Sequence, residues 1–354
     1  MPERLFPRSR GSWDSFSFKP LRRIQQMLDS TLQNPIIITA VAAAASFMLS
    51  PLSCRLAHRV GAMDMPVGSR RMHKKPIPRC GGLALFFVIV AFALAFDHTL
   101  LLSVTLGGGL IFLSGVLDDM YSLSPTIKLT FQGTAALTVL LIQNEYLLPP
   151  EPSYTTIITA FFFIVLTTNA FNLIDGLDEL CSSVAAMSAF FIYLITEDLF
   201  ALAISGAVLG FLPHNRHPAK MFLGDSGAMT LGFLVSVLSL RICATNQNPS
   251  SICAVAAFLF LPLADTLFAF LRRTAHGKSP FSPDRMHIHH RLVDSGLSHR
   301  RTARLLILVS AAFGWVGVSI SKSGLSASTS LCIILLLSAL LCLYVTLKKL
   351  RREL

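Results

Sequence analysis

TTIITAFFFIVLTTNAFNLIDGLDEL (residues 155–180) begins with an apolar run and ends in a cluster of amide and carboxylate side chains. The run over 155–172 is long enough to cross the ~30 Å hydrocarbon core of a bilayer as a helix. Acids at the end of a membrane helix are energetically unfavourable, so they are expected mainly where they have a function. The stretch therefore predicts a membrane helix that ends in a polar site.

Apolar runs of this kind recur along the whole chain. Of its 354 residues, 53% are hydrophobic and only 14% are charged, whereas ordinary soluble domains carry about 25% charged residues. The predicted runs are 35–53, 81–96, 100–117, 126–143, 155–172, 180–195, 199–213, 222–243, 251–271, 304–320 and 327–347. The sequence therefore predicts an all-α polytopic membrane protein, with about 11 transmembrane helices in one domain over 35–347.

The loops between these runs differ in charge. Residues 54–80 hold seven Lys or Arg against one acid, and residues 272–304 hold eight against two. Because cytoplasmic loops of multispanning proteins carry such an excess, we expect both segments and the basic tail 348–354 in the cytoplasm. The formal charge of +11 is explained by this topology, together with a surface for anionic lipid or substrate. Nucleic acid is not expected as a partner.

The basic N-terminal extension, residues 1–34, does not fit this topology. Eleven crossings and a cytoplasmic C-terminus place the N-terminus outside, yet the extension carries six basic residues against three acidic ones. Three interpretations stay open: an unusual exterior extension, translation that starts near Met27, and a basic helix at the membrane interface.

Four polar groups lie at the predicted cytoplasmic ends of the helices. The first is in GVLDDMYSLSPTIKLTFQ (115–132), where Asp118 and Asp119 end one run and Lys128 opens the next. Adjacent carboxylates repel unless a cation or a proton lies with them, which indicates a magnesium or phosphate-handling site. A solvated helix end is the alternative.

The second group follows the run quoted above. Asn169, Asn172, Asp175 and Asp178 are spaced three residues apart. Residues three apart are neighbours on a helix surface, so the four side chains are predicted to form one connected polar seam.

The third group is in KMFLGDSGAMTLGF (220–233), where Asp225 lies between Gly224 and Gly227 at the start of a run. Small residues at a helix N-terminus let backbone N–H groups approach a phosphate, and the helix end favours an anion or a metal ligand. Alternatively, Asp225 and Ser226 only cap the helix.

The fourth group is the histidine segment PFSPDRMHIHHRL (280–292), which holds His287, His289 and His290. Metal ligation, phosphate contact and a proton role all stay open for these side chains. The seven cysteines show no C-x-x-C spacing that indicates a zinc framework. Because oxygen-rich ligands suit magnesium or manganese, the four groups together indicate phosphoryl transfer at the membrane surface.

These stretches, in this order, resemble the polyprenyl-phosphate N-acetylhexosamine-1-phosphate transferases of glycosyltransferase family 4. The resemblance extends from RVGAMDMP and HKKPIPRCGG (within 59–82) to SPFSPDRMHIHHRL (279–292). The last stretch is most similar to the branch of undecaprenyl-phosphate alpha-N-acetylglucosaminyl 1-phosphate transferases.

The resemblance implies a reaction and its partners. The phosphate of undecaprenyl phosphate attacks a UDP-N-acetylhexosamine, with GlcNAc as the expected sugar, and UMP is released. Mg²⁺ is the implied cofactor, with Mn²⁺ as an alternative, and a homodimer is a further expectation. The enzyme would start a cell-surface polysaccharide such as O-antigen, with its active site at the cytoplasmic face of the bacterial inner membrane. The competing interpretations are a multispanning transporter and a lipid-carrier-binding protein without transferase activity.

The same resemblance implies roles for the acids. Asp225 matches a direct magnesium ligand, and Asp118 and Asp119 match acids that bind the metal or orient a phosphate. Asp119 is also a candidate proton acceptor for the lipid phosphate. Asp175 and Asp178, with Asn172, match the N-x-x-D-G-x-D motif, which is expected to contact the uridine diphosphate or tune the metal.

The remaining candidates are substrate-binding residues. Lys128 is expected to bind a phosphate, and Asn169 is expected to contact a substrate through its polar side chain. His287, His289 and His290 are expected to contact the diphosphate or the sugar, with two nearby cationic partners, Arg273 and Arg285. Three basic residues are expected either to bind a substrate phosphate or only to set the membrane topology by their charge: Lys74, Lys75 and Arg79.

Two positions depart from the family's pattern. Glu179 stands where the family usually has glycine, in D-G-x-D-G, and Ala228 stands where serine is common after G-D-x-G. These departures bear on sugar preference and efficiency more than on the chemistry.

Overall fold

A computed structural model describes residues 34–65, 76–96, 101–142, 144–246, 248–277, 279 and 286–338. Regular structure in these ranges is helical apart from one two-stranded sheet. Of the predicted features, Lys74, Lys75, Arg285, the tail 348–354 and all of the N-terminal extension except Asn34 lie outside the described residues.

The described helices are numbered in chain order. They are α1 (Pro35–Val60), α2 (Gly81–Phe96), α3 (Gly109–Tyr121, preceded by the π-helical segment Ser103–Gly108), α4 (Pro125–Ile142), α5 (Asn144–Leu147), α6 (Tyr154–Ile174), α7 (Leu180–Thr196), α8 (Leu199–Asn215), α9 (Gly224–Asn246), α10 (Pro249–Phe258), α11 (Phe260–Ala275), α12 (Ile288–Asp294), α13 (His299–Ser323) and α14 (Ala327–Ser338). Strand β1 (Met63–Asp64) pairs antiparallel with β2 (Ile77–Pro78).

Many of these helices are suited to lipid. Among the described residues, α1, α3 with its π-helical segment, α4, α6, α9 and α13 are long and apolar enough to cross a membrane. The bent pair α10–α11 is a seventh span if it counts as one, and α2, α7, α8 and α14 are shorter apolar helices. Large apolar side chains such as Met48, Leu141 and Phe162 are more than 60% exposed, as expected for a surface that faces lipid. The chain is a multi-pass membrane protein, and the number of eleven crossings stays a prediction.

One predicted run is not a single helix. The sequence from 251 to 271 forms α10 and α11, whose axes differ by 84° on either side of Leu259. The backbone of Leu259 (φ −96°, ψ 9°) leaves the α-helical region. Pro262 lies in the first turn of α11, where its missing N–H is tolerated. The prediction of one continuous helix was therefore wrong, and the bend lets α11 pack against α6.

Helix α9 lies at the centre of the bundle. Of its apolar window, 83% is buried, and it packs against α2, α3, α6 and α7. Several of its hydroxyl groups are satisfied within the helix itself, as where Ser239 Oγ donates to the carbonyl of Val235 at 2.6 Å. The N-terminus of α9, which carries Asp225, is therefore held among the ends of several other helices.

A short extended segment fixes the start of α9. Phe222 N donates to the carbonyl of Pro78 at 2.9 Å, and Gly81 N donates back to the carbonyl of Phe222 at 3.0 Å. Gly82 N donates to the carbonyl of Leu223, also at 3.0 Å. The chain that leads out of β2 thus runs beside residues 222–223 and orients the first turn of α9.

Candidate active site

The ammonium group of Lys128 lies between two carboxylates. Its Nζ is 3.0 Å from Oδ2 of Asp118 and 2.7 Å from Oδ2 of Asp225. Asp118 lies in the last turn of α3, Lys128 in the opening turn of α4 and Asp225 in the first turn of α9. Each side chain keeps some exposure, between 12% and 24%. Three helices therefore bring one cation and two anions together where a substrate can still reach them.

Two further contacts hold this cluster in shape. Asn172, near the end of α6, donates from Nδ2 to Oδ2 of Asp225 at 3.2 Å. The backbone N–H of Leu123 donates to Oδ1 of Asp118 at 2.7 Å, which fixes the turn between α3 and α4. The structure thus brings together four predicted residues from three separate stretches of the sequence: Asp118, Lys128, Asn172 and Asp225.

Asp119 has a different position from its neighbour. Its Oδ1 accepts from Asp225 N at 2.9 Å and its Oδ2 accepts from Ser226 N at 3.1 Å. A carboxylate at a helix N-terminus satisfies unpaired N–H groups and interacts favourably with the helix dipole. Gly224 has a positive φ of 74°, and a Cβ there would lie only 2.6 Å from Oδ2 of Asp119. Asp119 is therefore the cap of α9, supplied by another helix.

This cap corrects the prediction for the start of α9. The first N–H groups of the helix were expected either to receive a substrate phosphate or to be capped by Asp225 and Ser226 themselves. The anion that they bind is instead the carboxylate of Asp119. The sequence did not reveal this because the two partners are more than 100 residues apart in the chain.

The predicted seam of four polar residues is broken at the end of α6. The helix ends at Ile174 and Asp175 is its C-cap, so the three-residue spacing no longer places Asp178 on the same face. Oδ2 of Asp178 instead lies 2.7 Å from Nδ1 of His217 and accepts from Ala219 N at 3.2 Å. The prediction of one continuous seam was therefore wrong, because the helix ends inside the motif.

Asp175, unlike Asp178, lies near the acids of the Lys128 cluster. Burial raises its pKa well above the ordinary range, and the carboxylates of Asp225 and Asp119 raise it further. The guanidinium of Arg79 lowers the pKa of Asp175 and so opposes these effects. Arg79 also forms an ion pair with Asp64 in β1, which keeps its charge beside the site.

The described part of the histidine segment, residues 286–292, is anchored by a buried aspartate in α11. Nδ1 of His287 is 2.7 Å from Oδ2 of Asp265, and Ile288 N donates to Oδ1 of the same carboxylate at 2.7 Å. Both His287 and Asp265 are buried. His287 has extended backbone at the N-cap of α12, and His289 and His290 lie in the helix.

His289 connects this segment to the loop after α6. Its ring lies 5.8 Å from that of His287, nearly parallel to it, and 4.3 Å from that of His290. Nε2 of His289 is buried against Gly176, where a Cβ atom would overlap the ring. His289 therefore contacts Gly176 of the N-x-x-D-G-x-D motif. This contact agrees with the prediction that the four polar groups lie close together.

Burial lowers the pKa of His289 to about 3, with His290, His287 and His299 adding to the effect and Asp265 opposing it. His289 is therefore neutral at physiological pH. It therefore does not supply a positive charge to the site.

Two other predicted contacts are less central. Asn169 is partly buried in α6, one turn before Asn172. Arg273 is partly buried in α11, two turns after Asp265 and on the same side of that helix. Their contact with a substrate stays a prediction.

Sequence reasoning missed three residues at this end of the bundle. Asp265 was hidden inside the predicted run 251–271, although a carboxylate within an apolar run is itself a signal of function. The other two are His217, which lies between α8 and α9, and His299, at the start of α13, whose rings are 5.5 Å apart. No sequence pattern connects these positions, because their neighbours come from distant elements.

The described residues contain no ready-made group of three or more metal ligands. Mg²⁺, however, is usually held by one or two carboxylates together with substrate phosphates and waters. Asp118 and Asp225 suit this arrangement because their carboxylates converge on the Lys128 ammonium. Asp119 suits it less well, because each of its oxygens already accepts a backbone N–H.

Residues 101–243 match the family model described as glycosyl transferase family 4. This range contains Asp118, Asp119, Lys128, the N-x-x-D-G-x-D motif and Asp225. The match therefore covers the helices that build the Lys128 cluster.

Three curated proteins illustrate the similarity along the rest of the chain. A "probable undecaprenyl-phosphate N-acetylglucosaminyl 1-phosphate transferase" of Bacillus subtilis is 32% identical over 329 residues, which are 88% of this chain and 92% of that protein. A "decaprenyl-phosphate N-acetylglucosaminephosphotransferase" of Mycobacterium tuberculosis is 34% identical over 310 residues, 74% of this chain and 75% of that protein. An "undecaprenyl-phosphate alpha-N-acetylglucosaminyl 1-phosphate transferase" of Escherichia coli K12 is 28% identical over 294 residues, 75% of this chain and 78% of that protein.

Proposed function

The chain belongs to glycosyl transferase family 4, and we propose that it transfers N-acetylhexosamine 1-phosphate from a UDP-sugar to undecaprenyl phosphate with release of UMP. GlcNAc 1-phosphate is the proposed group, since the similar proteins are named for N-acetylglucosaminyl phosphate transfer. The observation that carries the proposal is the bridge that Lys128 forms between Asp118 and Asp225.

The reaction joins two phosphates and therefore needs charge compensation. An oxygen of the lipid phosphate forms a bond to the β-phosphorus of the UDP-sugar, and the bond between that phosphorus and the bridging oxygen breaks. The electron pair leaves with UMP. Phosphoryl transfer of this kind depends on positioning and on electrostatic stabilisation. The ammonium of Lys128 is placed to hold a phosphate oxygen, and Asn172 keeps the Asp225 carboxylate oriented.

Mg²⁺ is the proposed cofactor, with Mn²⁺ as an alternative. Asp225 and Asp118 would hold it, and Asp119 would act mainly through its cap on α9. When bound, the ion would neutralise phosphate charge and orient the diphosphate. Removal of divalent metal with EDTA is expected to stop UMP release, and added Mg²⁺ is expected to restore it.

An apolar groove beside the histidine segment suits the lipid acceptor. Its volume is about 510 Å³, and it lies between α11, α12, α13 and α14. Its walls include Phe268, Leu305 and Val309, and two arginines, Arg272 and Arg291, belong to the same lining. An isoprenoid chain can occupy such walls, while guanidinium groups suit its phosphate.

The charge of the loops supports a cytoplasmic position for this site, because the basic segment 272–304 includes the histidine segment. We propose the bacterial inner membrane as the location and the first membrane step of a cell-surface polysaccharide, such as O-antigen, as the role. A homodimer is part of the proposal, and its mass in detergent or a nanodisc would test it.

The direct test is a panel of UDP-N-acetylhexosamines with purified protein, undecaprenyl phosphate and Mg²⁺. We expect UMP release with UDP-GlcNAc, loss of release in Asp225→Asn and normal release in Asp198→Asn. Asp198 is a suitable control because its ion pair with Arg241 lies at the opposite end of the bundle. The absence of UMP with every donor would overturn the proposal.

A further inference from the structure

The Asp265–His287 pair lies outside the Lys128 cluster, and Asp265 has no part in the chemistry described so far. Asp265 is 2% exposed and His287 is 5% exposed. Burial of a carboxylate is unfavourable unless hydrogen bonds compensate for it. Here both oxygens are used, one by the ring of His287 and one by Ile288 N.

The bend at Leu259 creates the pair. It directs α11 away from α10, and Asp265 lies in the buried face of α11 together with Ala269. From this face Asp265 reaches the N-cap of α12, 22 residues further along the chain. The two hydrogen bonds fix both the backbone at the start of α12 and the ring of its first histidine.

This anchoring determines which ring nitrogen of His287 is left for another partner. Nδ1 is committed to Asp265, so Nε2 is the remaining hydrogen-bonding atom of the ring. The ring stacks on His289, which rests on Gly176 immediately after Asp175. The ring of His287 is therefore connected, through the ring of His289, to the loop that carries Asp175.

We propose that Asp265 is a positioning residue for donor binding, which holds His287 so that its Nε2–H donates to a phosphate oxygen of the nucleotide sugar. The proposal rests on the proposed function for the identity of the donor. With the donor bound, both ring nitrogens would carry hydrogen, because Nδ1 donates to Asp265 and Nε2 donates to the phosphate. Such a charge-assisted hydrogen bond is about twice as strong as a neutral one.

Asp265→Asn tests the charge while it preserves the shape. Ile288 N can only donate, so it takes the single amide oxygen, and the amide NH₂ faces Nδ1 of His287. Nδ1 must then give up its hydrogen, and the ring stays neutral. We expect the dissociation constant and KM for UDP-GlcNAc to rise about tenfold, because a charge-assisted bond becomes a neutral one. The KM for undecaprenyl phosphate should stay within about twofold of the wild-type value.

His287→Asn is the matched partner variant. Its amide nitrogen can take the place of Nδ1 and donate to Asp265, but nothing replaces Nε2. We expect a larger loss of donor affinity than in Asp265→Asn, because the whole hydrogen bond to the phosphate is removed while the start of α12 stays anchored. Because both changes act on one interaction, the double variant Asp265→Asn/His287→Asn should bind no more weakly than His287→Asn alone.

The experiment measures binding of UDP-GlcNAc to the full-length protein in nanodiscs, UMP release and thermal unfolding. Asp198→Asn, the same chemical change at the opposite end, is the control and should match wild type in donor binding and UMP release. A weakening of donor binding in both single variants, with an unchanged lipid KM, supports the proposal. If Asp265→Asn is poorly folded, His287→Asn decides the question.

Three results would overturn the proposal: wild-type donor affinity in either single variant, equal losses for donor and lipid, or additive losses in the double variant. Binding of UDP-GlcNAc without UMP release by the wild type would contradict the proposed function, and the binding measurements would still decide the role of Asp265. If the wild type bound no UDP-GlcNAc, the proposal would be wrong.

Discussion

Lys128 forms ion pairs with two carboxylates that come from different helices. Its distances to Asp118 and Asp225 leave neither acid without a cationic partner. Removal of one member of a partly buried ionic group leaves the other charges uncompensated, which is more damaging than the loss of an exposed pair. The same ammonium is the group placed to meet a substrate phosphate.

Lys128→Met is therefore expected to lower kcat/KM for UMP release by at least about 100-fold, because it removes a preorganised cation from a site that handles phosphate. Lys322→Met is the control, since Lys322 is exposed at the far end of α13. A Lys128→Met variant with more than about a tenth of wild-type activity would rule out a central role for the ammonium.

Glu179 stands in a backbone conformation that suits glycine. Its backbone φ is 61°, in the left-handed region, and its Oε1 is buried without a hydrogen-bond partner. The ion pair with Arg216 is long, at 3.8 Å, and Arg216 is largely exposed, so the pair contributes little.

Glu179→Gly is expected to stabilise the protein by about 1 kcal/mol, because glycine adopts this φ without steric strain. Thermal unfolding in detergent measures the effect. Glu179→Ala is the matched control, since it removes the carboxylate but keeps the strained Cβ. Equal unfolding temperatures for the two variants would show that the backbone is not the cause.

The pKa of His289 predicts a pH-dependent stability. The folded-state pKa is about 3, below the ordinary value of 6.5. Below pH 6.5 the unfolded chain takes up a proton that the folded protein does not, so stability falls as the pH falls. Between pH 7 and pH 5 this loss is about 2 kcal/mol.

A comparison of wild type with His289→Gln isolates this effect from all other titrating groups. The difference in unfolding free energy between pH 7 and pH 5 should be about 2 kcal/mol smaller in the variant. The same pH dependence in both proteins would mean that His289 is not held neutral in the folded state.

At the scale of the helices, the ends and breaks of helices determine where the site residues lie, more than the apolar middles do. The end of α6 inside the motif separates Asp175 from Asp178, and the break at Leu259 directs α11 to the histidine segment. The carboxylate of Asp119 joins the end of α3 to the start of α9. Each of these features gives a side chain a position that helical periodicity alone does not predict.

The cap on α9 gives a prediction about stability. Asp119→Ala leaves two backbone N–H groups without their acceptor and should lower stability by about 2 kcal/mol. Asp119→Asn keeps one acceptor oxygen and should lose about half as much. Thermal unfolding distinguishes the variants, and equal losses would argue against a cap that uses both oxygens.

At the scale of the whole molecule, the sequence predicted the class of protein and the gathering of polar groups at one end. Hydrophobic run length and the placement of acids at helix ends were sufficient for this. The partners of each acid were not predictable, because Asp119, Lys128 and Asp265 pair with residues that are distant in the chain or separated from them by a turn. The broken helix at Leu259 was missed because run length alone does not show a bend within an apolar stretch.

In the proposed reaction, an intact sugar 1-phosphate moves to the lipid. UDP-GlcNAc labelled with ³²P in the β-phosphate tests it most directly, with wild-type protein, undecaprenyl phosphate and Mg²⁺. We predict that the label enters the lipid phase while unlabelled UMP remains in water, and that Asp225→Asn transfers none. Label that stays in water as UDP while GlcNAc reaches the lipid, or no transfer at all, would contradict the account.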